Sequence, residues 1–240
     1  MIETIAGAAA GLLAGRVVRE VAKRLPAHLF RQWRTEASEL LELELPPQAF
    51  PSHPGQAHVL QRRFLPEVVT AVLSGALLGA FGFTYLGAAL LVLTWGLMAL
   101  VLIDAEHQIL PDVIVLPMLW LGLMVNQQGL IGYLDDALYG AVAGYLLLWI
   151  CLTGFKIATG KEGMGRGDLK MLAMLGAWGG WQALPLILLL SSITAALYGV
   201  SAKAFSKNDS GPQYAFGPFL AFGGWIAIIW GNTLSNAYFL

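Results

Sequence analysis

The feature that most constrains this chain is a succession of mostly apolar runs, several near the length of about 20 residues that a bilayer-spanning helix requires, separated by short polar breaks. Run length and the breaks place candidate spans at roughly 3–22, 65–82, 84–103, 113–130, 136–155, 168–181, 183–202 and 216–237. Arg16, Arg19 and Glu20 weaken the first, and the sixth is short and closes on Gly179-Gly180, so eight is an upper count. With 57% apolar and only 12% charged residues, an ordinary soluble domain is excluded, since such domains are about one quarter charged. The expected fold is all-α: a polytopic transmembrane helical bundle of about 7–8 membrane helices. It divides into a first transmembrane helix over 1–22, a cytoplasmic loop segment over 23–64 and a transmembrane core over 65–240. Segment 23–64 has amphipathic stretches such as Arg31 to Leu45 and a proline-rich loop over 46–55. It is too small for a core of its own and reads as a surface-lying cover for the helix ends.

The basic residues orient the bundle, because cytoplasmic loops retain Lys and Arg. With the N-terminus outside, the inner segments hold Lys23, Arg24, Arg31, Arg34, Arg62 and Arg63, then Lys156, Lys161, Arg166 and Lys170, then Lys203 and Lys207. The outer loops around 83–85, 129–136 and 179–183 hold no Lys or Arg, while Asp135 and Asp136 sit there. N-out, C-out follows. Met1-Ile2-Glu3 opens without the basic stretch of a signal peptide, so a retained first helix is expected. A net charge of −1 without a clustered basic surface gives no basis for nucleic-acid binding. The single Cys151, inside an apolar run, forms no disulfide within the chain and is expected to be buried in packing.

Charged groups at span ends invite a functional explanation. Asp104 closes the third span, where the negative end of the helix dipole disfavours a carboxylate. Pro111 suits the first turn of the next helix, and Asp112 there is favoured by the dipole, a structural explanation that stands beside a functional one. In Gly163-Met-Gly165-Arg-Gly167-Asp168-Leu-Lys170, three glycines at alternate positions precede a carboxylate at a helix start. Glycines of this kind permit close backbone approach. An Asp at that position is also a common cap. Both carboxylates lie at the cytoplasmic ends of different helices, where folding can bring them together. Two facing carboxylates share one proton, so that the ionised member activates water and the protonated one polarises a carbonyl. Capping plus a solvated loop is the alternative. Serine, cysteine and zinc proteolysis lack support: there is no nucleophile-elbow Ser, and His28, His53, His58 and His107 show no ligand spacing.

The stretch Asp104-Ala-Glu106-His107-Gln-Ile-Leu-Pro111-Asp112, running on to Pro117, resembles the first-aspartate motif of the type 4 prepilin peptidases, GxGD-type aspartyl proteases. Gly163 to Lys170 resembles their second motif, and Phe216-Gly217-Pro218-Phe-Leu-Ala a late one. The resemblance covers most of the chain. It implies catalytic roles for Asp104 and Asp168, with Glu106, His107, Pro111, Asp112, Gly163, Gly165, Gly167, Lys170, Gly217 and Pro218 binding substrate or supporting the site. Lys161 and Glu162 are further candidate contacts for a charged leader. It also implies a multi-pass protein of the bacterial inner membrane that cleaves prepilin or type II secretion pseudopilin leaders after Gly at the cytoplasmic face. Proteolysis needs no cofactor; the methylation that commonly follows in the family uses S-adenosylmethionine.

Two departures bear on the second activity. The family's N-terminal pattern survives as Gly15 and Arg24-Leu25-Pro26, but Arg16, Val17 and Arg19 replace the usual Ser, Phe and Asn. Residues 23–64 contain no cysteine, so the tetrahedral zinc site of many members is not expected. A peptidase lacking methyltransferase activity is therefore one alternative. A non-catalytic scaffold or transporter is the other, although no Asp, Glu, Lys or Arg lies in the interior of spans three, four, five, seven or eight.

Overall fold

The computed structural model describes residues 1–41, 64–160, 165–205 and 215–238. These residues form α1 (Ile2–Leu41), α2 (Leu65–Phe81), α3 (Tyr85–His107), α4 (Asp112–Gln127), α5 (Leu134–Thr159), α6 (Arg166–Gly179), α7 (Leu184–Phe205) and α8 (Gly217–Tyr238), with one 3-10 turn at Trp181–Ala183. No strand occurs among them, so the protein is a helical membrane bundle.

Every segment read as a span is helical, but the helices differ in what they can do. Tyr85–His107, Leu134–Thr159 and Trp181–Lys203 are long and apolar enough to cross a bilayer, and Leu65–Phe81, Asp112–Gln127 and Gly217–Gly231 are shorter apolar helices. α1, expected as a first transmembrane helix, belongs to neither group, since Glu3, Arg16 and Arg19 interrupt its apolar part, and neither does α6. Its 14 residues reach only about 21 Å and its first turns carry Arg166, Asp168 and Lys170. Met171 to Trp178 are all buried, so α6 is an internal post sheathed by α4, α5 and α8. Trp178 donates from its indole Nε1 to the Met118 carbonyl at 2.8 Å. Asn126 donates from Nδ2 to the Ala177 and Trp178 carbonyls at 2.8 and 2.9 Å. These bonds satisfy buried polar groups and fasten the last turn of α6 to α4. Against α5 the post stands backbone to backbone, because a Cβ on Gly176 would lie 2.2 Å from the Gly140 carbonyl oxygen.

α1 departs from the expected boundary at residue 22 and continues as one helix to Leu41. Residues 16–41 contain no glycine, and the one proline, Pro26, sits inside the helix without ending it. Part of the segment read as a surface cover is thus a helical continuation of α1; residues 42–63 lie outside the described residues. Along its first half, Gly7, Gly11 and Gly15 meet α2 so closely that a Cβ on any of them would lie within 2.7 Å of α2 backbone. Cys151, expected in packing, is instead exposed on the outer face of α5. In a bundle surrounded by lipid the outer face is apolar too, so an apolar run does not distinguish inside from outside.

The Arg19 that departs from the family's N-terminal pattern has a partner. Its Nη2 lies 3.0 Å from Oε1 of Glu67 on α2, whose side chain is 5% exposed and whose Oε2 accepts no hydrogen bond among the described residues. Removing the cation would strand a buried carboxylate. Arg19→Ala is expected to cost about 3 kcal/mol, read as a lower thermal unfolding midpoint in detergent, and Arg19→Ala with Glu67→Gln should recover much of that loss.

Candidate active site

Four helix ends meet at one end of the bundle. α3 closes there: Asp104 lies in its last turn, and the chain leaves through Gln108, held at φ 54 with its N–H donating to the Asp104 carbonyl at 2.9 Å. A non-glycine residue in the left-handed region is uncommon and turns the chain sharply away from the helix axis. Pro111 then precedes Asp112 in the first turn of α4, its carbonyl accepting from the N–H groups of Ile114 and Val115. α6 begins after Gly165, which puts Asp168 in its first turn. α8 begins at Gly217.

This arrangement opens a cavity of about 520 Å³ lined by Asp104 and Asp168 together, by Gln108 to Val113, by Gly165, Arg166, Gly167 and Lys170, and by Leu29 and Trp33 of α1. Asp104 and Asp168 are only 5% and 6% exposed, and they stand near enough for the charge of Asp104 to act on Asp168. Oδ2 of Asp104 accepts a 3.0 Å hydrogen bond from the Gly217 backbone N–H. No Cβ fits at that glycine, since one would stand 2.4 Å from the same oxygen. Gly167 is similarly tight, its Cβ position lying 2.9 Å from Cβ of Leu110. Two buried carboxylates with space beside them can hold a water molecule and a peptide carbonyl.

The other residues singled out in the sequence separate into groups. Asp112 and Lys170 line the cavity and pair with each other: Nζ of Lys170 donates to Oδ1 and Oδ2 of Asp112 at 2.8 and 2.6 Å, tying α6 to α4 two residues beyond Asp168. Asp112 thus has an ionic partner besides its favourable place at a helix start. The pair is 38% and 51% exposed, so Lys170→Ala is expected to cost less than about 1 kcal/mol of stability, checked by thermal unfolding. Pro111, Gly165 and Gly167 also line the cavity. Glu106 and His107 do not; the His107 ring packs edge-on against Phe30 of α1 at 6.0 Å between centroids. Gly217 touches the site through its backbone, and Pro218 follows it in α8. Lys161, Glu162 and Gly163 lie outside the described residues.

Leu29, Trp33, Gln108, Ile109, Leu110, Val113 and Arg166 complete the lining and were not singled out by sequence reasoning. For Leu29 and Trp33 a signal was present: on a stretch rich in charged and polar residues they lie four apart and so share one helix face. The positive φ at Gln108 had none.

Comparison with known proteins finds relatives along nearly the whole chain. The profile of the Type IV leader peptidase family matches residues 91–200, which include both aspartates and omit α1, α2 and α8. The prepilin leader peptidase/N-methyltransferase of Pseudomonas aeruginosa is 47% identical over 95% of this chain and 90% of its own length. The protein of that name from Pseudomonas putida is 44% identical over 93% and 89%, and that from Xanthomonas campestris pv. campestris 37% over 97% and 93%. No solved structure matches. Identity of this order running through nearly the whole of both chains means that this chain belongs to the type IV leader peptidase family.

Proposed function

We propose that this enzyme is an aspartyl endopeptidase that removes the leader peptides of type 4 prepilins or type II secretion pseudopilins, cutting after a glycine at the cytoplasmic face of the bacterial inner membrane. The observation that carries this reading is the burial of Asp104 and Asp168, from two different helices, in one cavity. In the proposed mechanism the ionised carboxylate takes a proton from a bound water, whose oxygen attacks the scissile carbonyl while the protonated carboxyl donates a hydrogen bond to the carbonyl oxygen. Collapse of the tetrahedral intermediate breaks the C–N bond, and a proton from the dyad leaves on the new amine. The cytoplasmic placement is supported by the basic residues that flank the cavity end of the bundle, among them Lys156, Arg166 and Lys170.

The test is incubation of a full-length prepilin with the purified protein in liposomes, followed by mass spectrometry of the product. A new N-terminus directly after the leader glycine is expected; an intact substrate beside folded enzyme overturns the reading.

The names of the relatives favour a second step, methylation of the new N-terminus with S-adenosylmethionine as co-substrate. No side chains of this chain are assigned to that co-substrate. A product heavier by one methylene group, made only when S-adenosylmethionine is added, supports this step; an unmethylated product selects the peptidase-only alternative.

A further inference from the structure

The dyad's cavity has an apolar wall that comes from outside the stretch matched by the family profile. α1 is 40 residues long, about 60 Å, twice what a bilayer core needs, and its second half passes over the end of α3. Two sets of contacts hold it there. Val18, Ala22 and Leu25 pack on Ala99, Leu102 and Ile103, the residues leading up to Asp104. Beyond them Phe30 sits edge-on to His107, three residues past Asp104, and edge-on to Trp33 at 5.6 Å between centroids. The position of Trp33 is therefore set by the same helix that carries one of the aspartates.

Leu29 and Trp33, one turn apart, line the same cavity as the two aspartates and as the apolar Ile109, Leu110 and Val113. Trp33 remains 39% exposed on a stretch that is otherwise charged or polar, between Arg31 and Gln32 on one side and Arg34 and Thr35 on the other. An indole left uncovered beside a pair of buried carboxylates is an anchor of the kind that binds a large apolar group. We propose that Leu29 and Trp33 form a specificity subsite that receives a large apolar side chain of the substrate peptide next to the bond presented to Asp104 and Asp168. The inference rests on the peptidase reading above. It makes α1, which the family profile leaves out, the element that selects substrate, while α3 and α6 carry the chemistry.

The experiment measures kcat and KM for full-length wild type, Trp33→Ala, Trp33→Phe and Leu29→Ala on a substrate series. In this series the glycine before the scissile bond is kept and the residue after it is Ala, Leu or Phe. Wild type should prefer Phe or Leu over Ala at that position. Trp33→Ala should reduce that preference, the ratio of kcat/KM for the Phe substrate over the Ala substrate, about tenfold. The loss should appear in KM rather than kcat, and Trp33→Phe should restore most of it. An unchanged preference in Trp33→Ala, or a fall in kcat shared equally by every substrate, overturns the subsite and leaves the peptidase reading standing. If wild type cuts no member of the series, the peptidase reading and the subsite fall together.

Discussion

Asp104→Asn and Asp168→Asn are each expected to abolish prepilin cleavage, lowering turnover by about 10³-fold or more, while the bundle stays folded. The size of the effect follows from what an amide cannot do. It neither takes a proton from water nor passes one to the leaving amine, and the dyad needs one member in each protonation state at every turnover. The double variant should be no worse than either single one, because two groups that act as a unit lose their joint function once. Stability should move little or upward. The amide has the shape of the carboxyl group, can still accept the Gly217 N–H at Asp104, and removes the cost of burying an ionisable carboxyl beside another at 5% and 6% exposure in a single cavity. Asp112→Asn provides the contrast: that carboxylate is 51% exposed and bound to Lys170, so its loss should leave most of the activity. The measurement is substrate cleavage and thermal unfolding of all four variants in one detergent. Turnover by either single variant within tenfold of wild type, at unchanged stability, would remove that aspartate from the mechanism.

The fold was legible wherever membrane physics dictates it. An apolar run of span length has to become a helix, because only intrahelical hydrogen bonds satisfy its backbone in lipid. Two features escaped this reasoning. α1 runs on to Leu41 because charged and polar residues continue a helix as well as apolar ones do, and hydropathy is silent about where it stops. α6 has span-like composition in its second half, yet its 14 residues are buried by neighbouring helices rather than by lipid. A hydropathy window cannot tell these two apolar surroundings apart, and the exposed Cys151 is the same ambiguity in reverse.

The site divides along similar lines. Asp104 stood out because a carboxylate in the last turn of an apolar helix is electrostatically out of place, and it lines one cavity with Asp168. Asp168 was more ambiguous, since a carboxylate in a first turn is an ordinary cap, and only its burial beside Asp104 sets it apart. Lys170 and Asp112 lie 58 positions apart, and their pairing depends on α4 and α6 starting side by side. The apolar wall from α1 depends on the packing of that helix against α3, which no local pattern encodes.

Glycines at the site can be ranked by the space behind them, and Gly217→Ala should show the second large effect, a loss of about 10²-fold in kcat. A Cβ on Gly217 would stand 2.4 Å from Oδ2 and 3.0 Å from Cγ of Asp104, and 3.4 Å from Cδ2 of Leu110. Contacts of the first kind do not occur between real atoms, so either the carboxylate rotates away or the start of α8 retreats. Both movements break the 3.0 Å bond from the Gly217 N–H that orients the carboxylate. Misplacement of a reacting group by about 1 Å is enough for a loss of this size, and it acts on the chemical step rather than on substrate affinity. Gly167→Ala should be intermediate, because its Cβ would meet Cβ of Leu110 at 2.9 Å and push the loop between α3 and α4 rather than a carboxylate. Gly165→Ala should be close to wild type. Its backbone, at φ −72, ψ 146, suits any residue, and the Asp168 oxygen nearest its Cβ position is 3.7 Å away, an ordinary contact. The order Gly217, Gly167, Gly165 in loss of kcat, at similar KM and melting midpoint, is the expected result. Near-normal turnover by Gly217→Ala would mean that the start of α8 does not position Asp104, and would shift the constraint on that carboxylate to α3 alone.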